Sequence, residues 1–163
     1  IDAYNDWLSD TPKNMVVVPY ISMHGSVERM VNHLIDALEN KGVKAYKFDL
    51  SVTDIGKLAI TLVDAATIVV GTPTVLGEPH PVIAYAAKLA NALKPKATFV
   101  SVMASYAWGG KAIEKVAEMI PNIKAELLEP VLVKGYPKAD DLVAIERLAN
   151  EIFTKHSNNK LQP

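Results

Sequence analysis

The chain has 163 residues, half of them hydrophobic, a formal net charge of −1 and no cysteine. That length suits one domain with a sizeable core, and so high an apolar content excludes a disordered segment. The near-neutral charge gives no electrostatic case for nucleic acid or an anionic membrane, and the missing thiols exclude disulfides, thiolate metal sites and cysteine nucleophiles.

Residues Ile1 to Asn14 read as a lead-in, helical or irregular, that ends at Pro12. The start is not an initiator methionine, and Tyr4 and Trp7 have no element to pack on in sequence order, so the segment reads as a linker from a preceding domain. Met15 to Tyr20 is a nearly unbroken β-branched run, the pattern of a strand covered on both faces, with Pro19 marking its end. The turn ISMHGSV follows, and then Val27, Met30, Val31, Leu34, Ile35 and Leu38 repeat along one helix face that Gly42 closes. A second strand covers Val43 to Phe48. A helix follows with Ile55, Leu58, Leu62 and Val63 inward.

The third strand is Ala66 to Gly71. It runs into TPTVLGEPHP, whose three prolines predict a loop free of regular structure. A helix carrying Val82, Ala86, Leu89, Ala90 and Leu93 leads to a fourth strand, Ala97 to Met103, and the loop SYAWGG. Ile113, Val116, Ala117 and Ile120 mark another helix. Lys124 to Val133 supplies a fifth strand, interrupted around Glu129 and Pro130. The last helix spans Ala139 to His156, and residues 157–163 form a polar, flexible tail. No apolar run approaches the roughly 18 residues of a membrane span. Five strand–helix alternations predict an α/β, three-layer, doubly wound parallel sheet of order 2-1-3-4-5, with residues 15–156 as the domain.

In such sheets ligands bind outside the carboxyl ends of the strands. Three loops at those ends hold Gly, hydroxyl or aromatic residues where a plain connection needs only polarity. In the first, Ser22 and Ser26 offer hydroxyls, and the amides from His24 through Gly25 to Val27 open a helix, which is a phosphate site by geometry and dipole. Ser26 acting as a plain N-cap is the alternative, and Glu28 reads as a capping carboxylate. The glycine fingerprint of a dinucleotide site is missing, and no lysine follows as in a P-loop. In the second loop, Thr72 and Thr74 suit a ring edge or a polyol chain, or else the prolines only stiffen a turn. In the third, Tyr106 and Trp108 stand beside Gly109 and Gly110, offering ring faces and close backbone approach to a flat ligand, or else packing on the sheet. The four histidines, His24, His33, His80 and His156, are scattered without metal-ligand spacing, with His33 expected on the exposed side of its helix and His80 at the surface. A phospho-receiver domain would need acidic residues where Ile21–Ser22 and Gly71–Thr72 stand.

Together ISMHGSVERM, VVGTPTVLGEPHP and SYAWGG resemble the flavodoxin-like module of the A-type flavoproteins, or flavodiiron proteins, over Met15 to Lys155. Tyr4–Asn5–Asp6–Trp7 with Pro12–Lys13 is similar to the segment that leaves that family's metal domain. The resemblance implies FMN as cofactor. Ser22, Met23, His24, Gly25, Ser26 and Val27 would hold its phosphate. Thr72, Pro73, Thr74, Val75, Leu76 and Gly77 would border ribityl and ring, and Ser105, Tyr106, Ala107, Trp108, Gly109 and Gly110 would wrap the isoalloxazine. It implies electron transfer to an N-terminal di-iron domain that reduces oxygen or nitric oxide, whose ligands have no counterpart in this chain. It further implies a head-to-tail homodimer and a donor such as rubredoxin, a reduced deazaflavin or an NAD(P)H-linked reductase, while the absence of cysteine fits a cytoplasmic location. Val27 replaces a family threonine, and Val75, Leu76 and Gly77 replace the aromatic and asparagine that follow Pro-Thr. Those departures motivate an alternative, a cofactor-free interaction module. A free-standing flavin-dependent NAD(P)H or quinone reductase is a third reading.

Overall fold

The computed structural model describes residues 11–107, 111–159 and 161. Its first strand, β1, spans Lys13–Tyr20. Alternate side chains enter two cores: Val16, Val18 and Tyr20 join one, Val17 the other. Pro19 does not end the strand, which stays in register with its neighbour through Pro19–Phe48 and Tyr20–Asp49. A lost ladder bond costs about 1 kcal/mol, whereas each fully buried valine contributes about 1.5–3 kcal/mol, so burial carries the strand past the proline.

Strand β2 (Lys44–Asp49) and strand β3 (Ala65–Val75) flank β1, and both run parallel to it. Strand β5 (Phe99–Tyr106) pairs parallel with β3 from Thr67–Phe99 to Pro73–Ser105. The expected fifth strand is two pieces, β6 (Glu126–Leu127) and β7 (Val131–Lys134), each parallel to β5 and separated around Glu129 and Pro130 as predicted. Read with those pieces as one strand, the order β2-β1-β3-β5-β6/β7 is the doubly wound arrangement.

The proline-rich segment differs from expectation. β3 continues through Thr72–Val75 and folds back as β4 (Glu78–Pro79), pairing Thr74 with Pro79 and Val75 with Glu78 antiparallel. The turn is Leu76–Gly77, with φ of 52° and 81°, the left-handed pair of a two-residue hairpin. Pro79 is tolerated because β4 is a two-residue strand set off from the main sheet order.

Helices α1 (Ser26–Asn40) and α5 (Ala139–Asn158) cover one sheet face, with Met30, Leu34 and Leu38 against Ile145, Leu148 and Ile152. Helices α2 (Ile55–Asp64), α3 (Pro81–Leu93) and α4 (Ala112–Glu118) cover the other. Between α1 and α5, His33 is half-buried rather than outward, its Nε2 3.1 Å from Glu146 Oε1. His156, near the end of α5, is buried at the amino ends of the strands. Its Nδ1 lies 2.8 Å from Asn14 Oδ1 and its Nε2 2.6 Å from Thr67 Oγ1, and its ring stacks on Phe99 at 6.2 Å. Burial pushes this imidazole down to about 4. It therefore serves as a neutral pin across β1, β3 and α5, at the end of the sheet opposite the loops that follow β1, β3 and β5. Residues 1–10 of the lead-in lie outside the described residues.

Candidate functional site

Gly71 sets the first element of the site. A Cβ there would stand 2.9 Å from Tyr20 Cβ, 3.0 Å from Val27 Cγ1 and 3.2 Å from Val31 Cγ2. Only a glycine lets the first turn of α1 lie this close to the carboxyl end of β3. Val27 is accordingly buried against the sheet, with its amide at the helix mouth. Gly25, at φ 84°, occupies the N-cap position, so Ser26 is the first helical residue and not the cap. The capping is done by Ser22, whose Oγ accepts from Gly25 N–H at 3.1 Å and from Glu28 N–H at 3.3 Å. The amides of Ser26 and Val27 and the Ser26 hydroxyl have no acceptor or donor partner among the described residues. Glu28 is exposed and does not close a capping box. Beneath this turn the Tyr20 phenol is held above its usual range, first by burial and then by the Asp49 and Glu28 carboxylates.

Thr72 supplies the second element from within. Its buried hydroxyl donates to Pro73 O at 2.8 Å and accepts from His80 N–H at 3.1 Å, fastening the hairpin's base to the start of α3. His80 in turn caps α3, its Nδ1 accepting from Val82 N–H at 3.1 Å. The hairpin tip is tied onward, since Lys111 N–H donates to Gly77 O at 3.1 Å. At the end of β5, Ser105 Oγ donates to Gly135 O at 2.9 Å and Gly135 N–H donates to Tyr106 O at 2.8 Å. These bonds link the hairpin to residue 111 and the end of β5 to the segment after β7.

The loops enclose a cleft of about 500 Å³, within the roughly 300–1,000 Å³ usual for small-molecule and cofactor sites. Eleven of the residues singled out from the sequence line it: Met23, His24, Ser26, Val27, Pro73, Thr74, Val75, Leu76, Ser105, Tyr106 and Ala107. Ser22, Gly25, Thr72 and Gly77 are not among the lining residues; Ser22 and Thr72 bond within their loops, and Gly25 and Gly77 supply positive-φ turns. Trp108, Gly109 and Gly110 lie outside the described residues. Two lining residues escaped the sequence reading, Gly135 and Tyr136 just past β7. Their Gly-Tyr-Pro run repeats the glycine-beside-ring pattern of SYAWGG at the carboxyl end of another strand, and that signal could have found them.

The arrangement offers free amides at a helix N-terminus for an anion, hairpin and loop backbone for a polar chain, and aromatic and aliphatic walls for a flat ring. Among the described residues, no three or more His, Asp or Glu side chains gather to hold a metal. No helix among them is long and apolar enough to cross a membrane.

No protein-family model matches the chain. Among curated relatives, a nitric oxide reductase of Moorella thermoacetica is 31% identical over 157 residues, covering 95% of this chain and 39% of that protein. Among solved structures, rubredoxin oxygen:oxidoreductase from Desulfovibrio gigas superposes with a TM-score of 0.90 at 23% identity, over 97% of this chain and 40% of that one. A flavodoxin from the domain Archaea superposes with a TM-score of 0.76 at 23% identity, over 88% of this chain and 99% of its own length. The chain spans 30–40% of the length of the curated relatives it matches. It has the flavodoxin-like fold, and it is homologous to flavodiiron proteins, of which it matches the flavodoxin-like part.

Proposed function

We propose that this chain is an FMN-binding electron-transfer module. The observation that carries the reading is the convergence of the three loops on one cleft whose floor holds the free Ser26 and Val27 amides. The likeness to flavodoxins and to flavodiiron proteins supports FMN over other flat ligands. When bound, FMN supplies the redox chemistry, passing electrons singly or in pairs.

The chain's own residues bind and orient. The Ser26 and Val27 amides and the Ser26 hydroxyl receive the phosphate, with the α1 dipole adding to the attraction. Ser22 holds that loop in shape from behind. Backbone and side chains of Thr74 and Val75 border the ribityl chain, and Ser105, Tyr106 and Ala107 meet the ring. Phosphate binding through amides does not depend on the residue 27 side chain, which faces the core, so the replacement of threonine by Val27 is compatible with the reading.

Electrons would pass to a di-iron domain that reduces oxygen or nitric oxide, with rubredoxin, a reduced deazaflavin or an NAD(P)H-linked reductase as donor. Exposed Met23, Leu76 and Tyr136 at the rim suit contact with a second protein surface. Head-to-tail pairing, with the flavin of one subunit facing the iron pair of the other, belongs to the same proposal.

Purified chain titrated with FMN should take up one equivalent, turn yellow and quench the flavin's fluorescence. No stoichiometric binding would leave the cofactor-free interaction module as the better account. Rapid reduction of the bound flavin by NAD(P)H alone would favour a free-standing reductase.

A further inference from the structure

Tyr136 belongs to none of the three loops that a flavodoxin-like site leads one to inspect. It stands two residues past β7, half exposed at 56%, and it lines two cavities at once. One is the 500 Å³ cleft; the other is a polar concavity of about 340 Å³ on the α1 side that also holds Gly25, Arg29 and Asn32. The residue therefore borders the cleft and the concavity alike.

Its backbone is fixed. Gly135 turns the chain at φ 71°, and the two hydrogen bonds between Gly135 and the Ser105–Tyr106 strand end, at 2.9 and 2.8 Å, hold the turn against β5. The ring is held as well, with the Arg29 guanidinium 5.7 Å from its centroid. Arg29 lies in the opening of α1, where the helix dipole disfavours a cation, and its backbone N–H already bonds Gly25 O at 3.0 Å. Glu28 and Asp36 share its concavity, yet Arg29 makes no ion pair among the described residues. The Tyr136 ring is what accounts for where its charge rests.

We infer that Tyr136 is a fourth-loop contact for the flat ring of the ligand, and that Arg29 is its positioning residue, bracing the ring from the concavity side. The inference rests on the FMN reading. A tyrosine has few torsions to freeze, so a ring pre-set in this way stacks on a planar ligand at low entropic cost. A braced tyrosine and a ligand ring would share one wall, and the exposed ring face would be covered on binding.

The test titrates the full chain with FMN and, separately, with riboflavin, which has the ring and no phosphate. Flavin fluorescence quenching and visible-region circular dichroism are read alongside. Tyr136→Ala should raise Kd by roughly 2- to 10-fold for both ligands and reduce quenching, as for a lost aromatic pair. Tyr136→Phe should stay within about twofold, because the ring and not the hydroxyl makes the contact. Arg29→Gln should weaken both ligands by roughly 2- to 5-fold, and Arg29→Lys should recover part of that loss, since an ammonium also sits over a ring. Unchanged Kd and quenching in Tyr136→Ala, with far-UV circular dichroism showing an intact fold, would overturn the assignment. So would a loss confined to FMN, which would move Tyr136 to the phosphate end. Failure of the unaltered chain to bind either flavin would overturn the cofactor reading itself, and this inference with it.

Discussion

Replacing Gly71 by alanine tests the packing that brings α1 to the sheet. The new methyl would meet Tyr20 Cβ at 2.9 Å and the Val27 and Val31 methyls at 3.0 and 3.2 Å, all belonging to buried residues. None is the free end of a flexible side chain, so the helix and strand must part by a few tenths of an ångström. Overpacking of this kind costs about 1–3 kcal/mol. In a chain of this length, a loss of about 2 kcal/mol lowers Tm by roughly 4–8 °C. Because the displaced turn carries the Ser26 and Val27 amides, flavin affinity should fall with stability. The assay is urea unfolding followed by circular dichroism, paired with an FMN titration. Val27→Ala, which removes one of the obstructing methyl pairs, should rescue part of the loss, leaving the double variant at least about 0.5 kcal/mol better than the sum of the singles. Gly135→Ala is the contrasting control: its Cβ meets nothing within 4 Å, and its cost comes only from a φ of 71°. A Gly71→Ala protein that loses under about 0.5 kcal/mol and binds FMN unchanged would refute the claim that close helix–strand approach fixes the anion site.

Ser26→Ala should weaken FMN by about 1.5 kcal/mol, roughly tenfold, with no loss of stability, because the hydroxyl caps nothing within the protein. An unchanged Kd in fluorescence titration would misplace the phosphate. Leu76→Asn should raise stability by about 0.5–1 kcal/mol in urea melts: Leu76 is fully exposed at φ 52°, and asparagine before Gly77 suits the left-handed turn. His156 predicts the acid limb of the stability curve. Its folded value of about 4 lies below the unfolded 6.5. The unfolded chain therefore binds more protons between those two values, and stability falls as pH drops through that window. The loss should be about 1–3 kcal/mol, and a pH series of melts on His156→Gln should be flatter there.

Much of the architecture was written in local pattern. Nearly unbroken apolar, β-branched-rich runs at Met15–Tyr20 and Ala66–Gly71 read as strands buried on both faces, and the helical apolar stripe after Ser26 matched the observed burial of Met30, Val31, Leu34 and Leu38. The split of the last strand was legible because Pro130 cannot donate. What stayed hidden was whatever depended on a partner distant in sequence. Nothing in TPTVLGEPHP announces that Thr72 will bond His80 and let β3 run on into a hairpin, since proline counts argue the other way. His156 looked like an ordinary polar residue near a helix end, because Asn14 and Thr67 are 142 and 89 positions away. Ser22 and Ser26 were both legible as hydroxyls at an anion turn. Which one shapes the turn and which lines the cleft goes with the φ of Gly25, a quantity the sequence permits but does not state.

The divided strand at the end of the sheet bears on solubility. A sheet margin is a row of unpaired donors and acceptors that invites another chain to add on. Here that row is cut into two and four residues by the kink at Leu128–Pro130, and Arg147 pins the kink through the Glu129 carbonyl at 3.2 Å and carboxylate at 3.1 Å. The opposite margin, β2, shows Lys44 and Lys47 to solvent. Among the described residues, neither margin presents a long, flat, uncharged template. Margins so short and charged leave the described part of the chain little tendency to stack on itself through its strands.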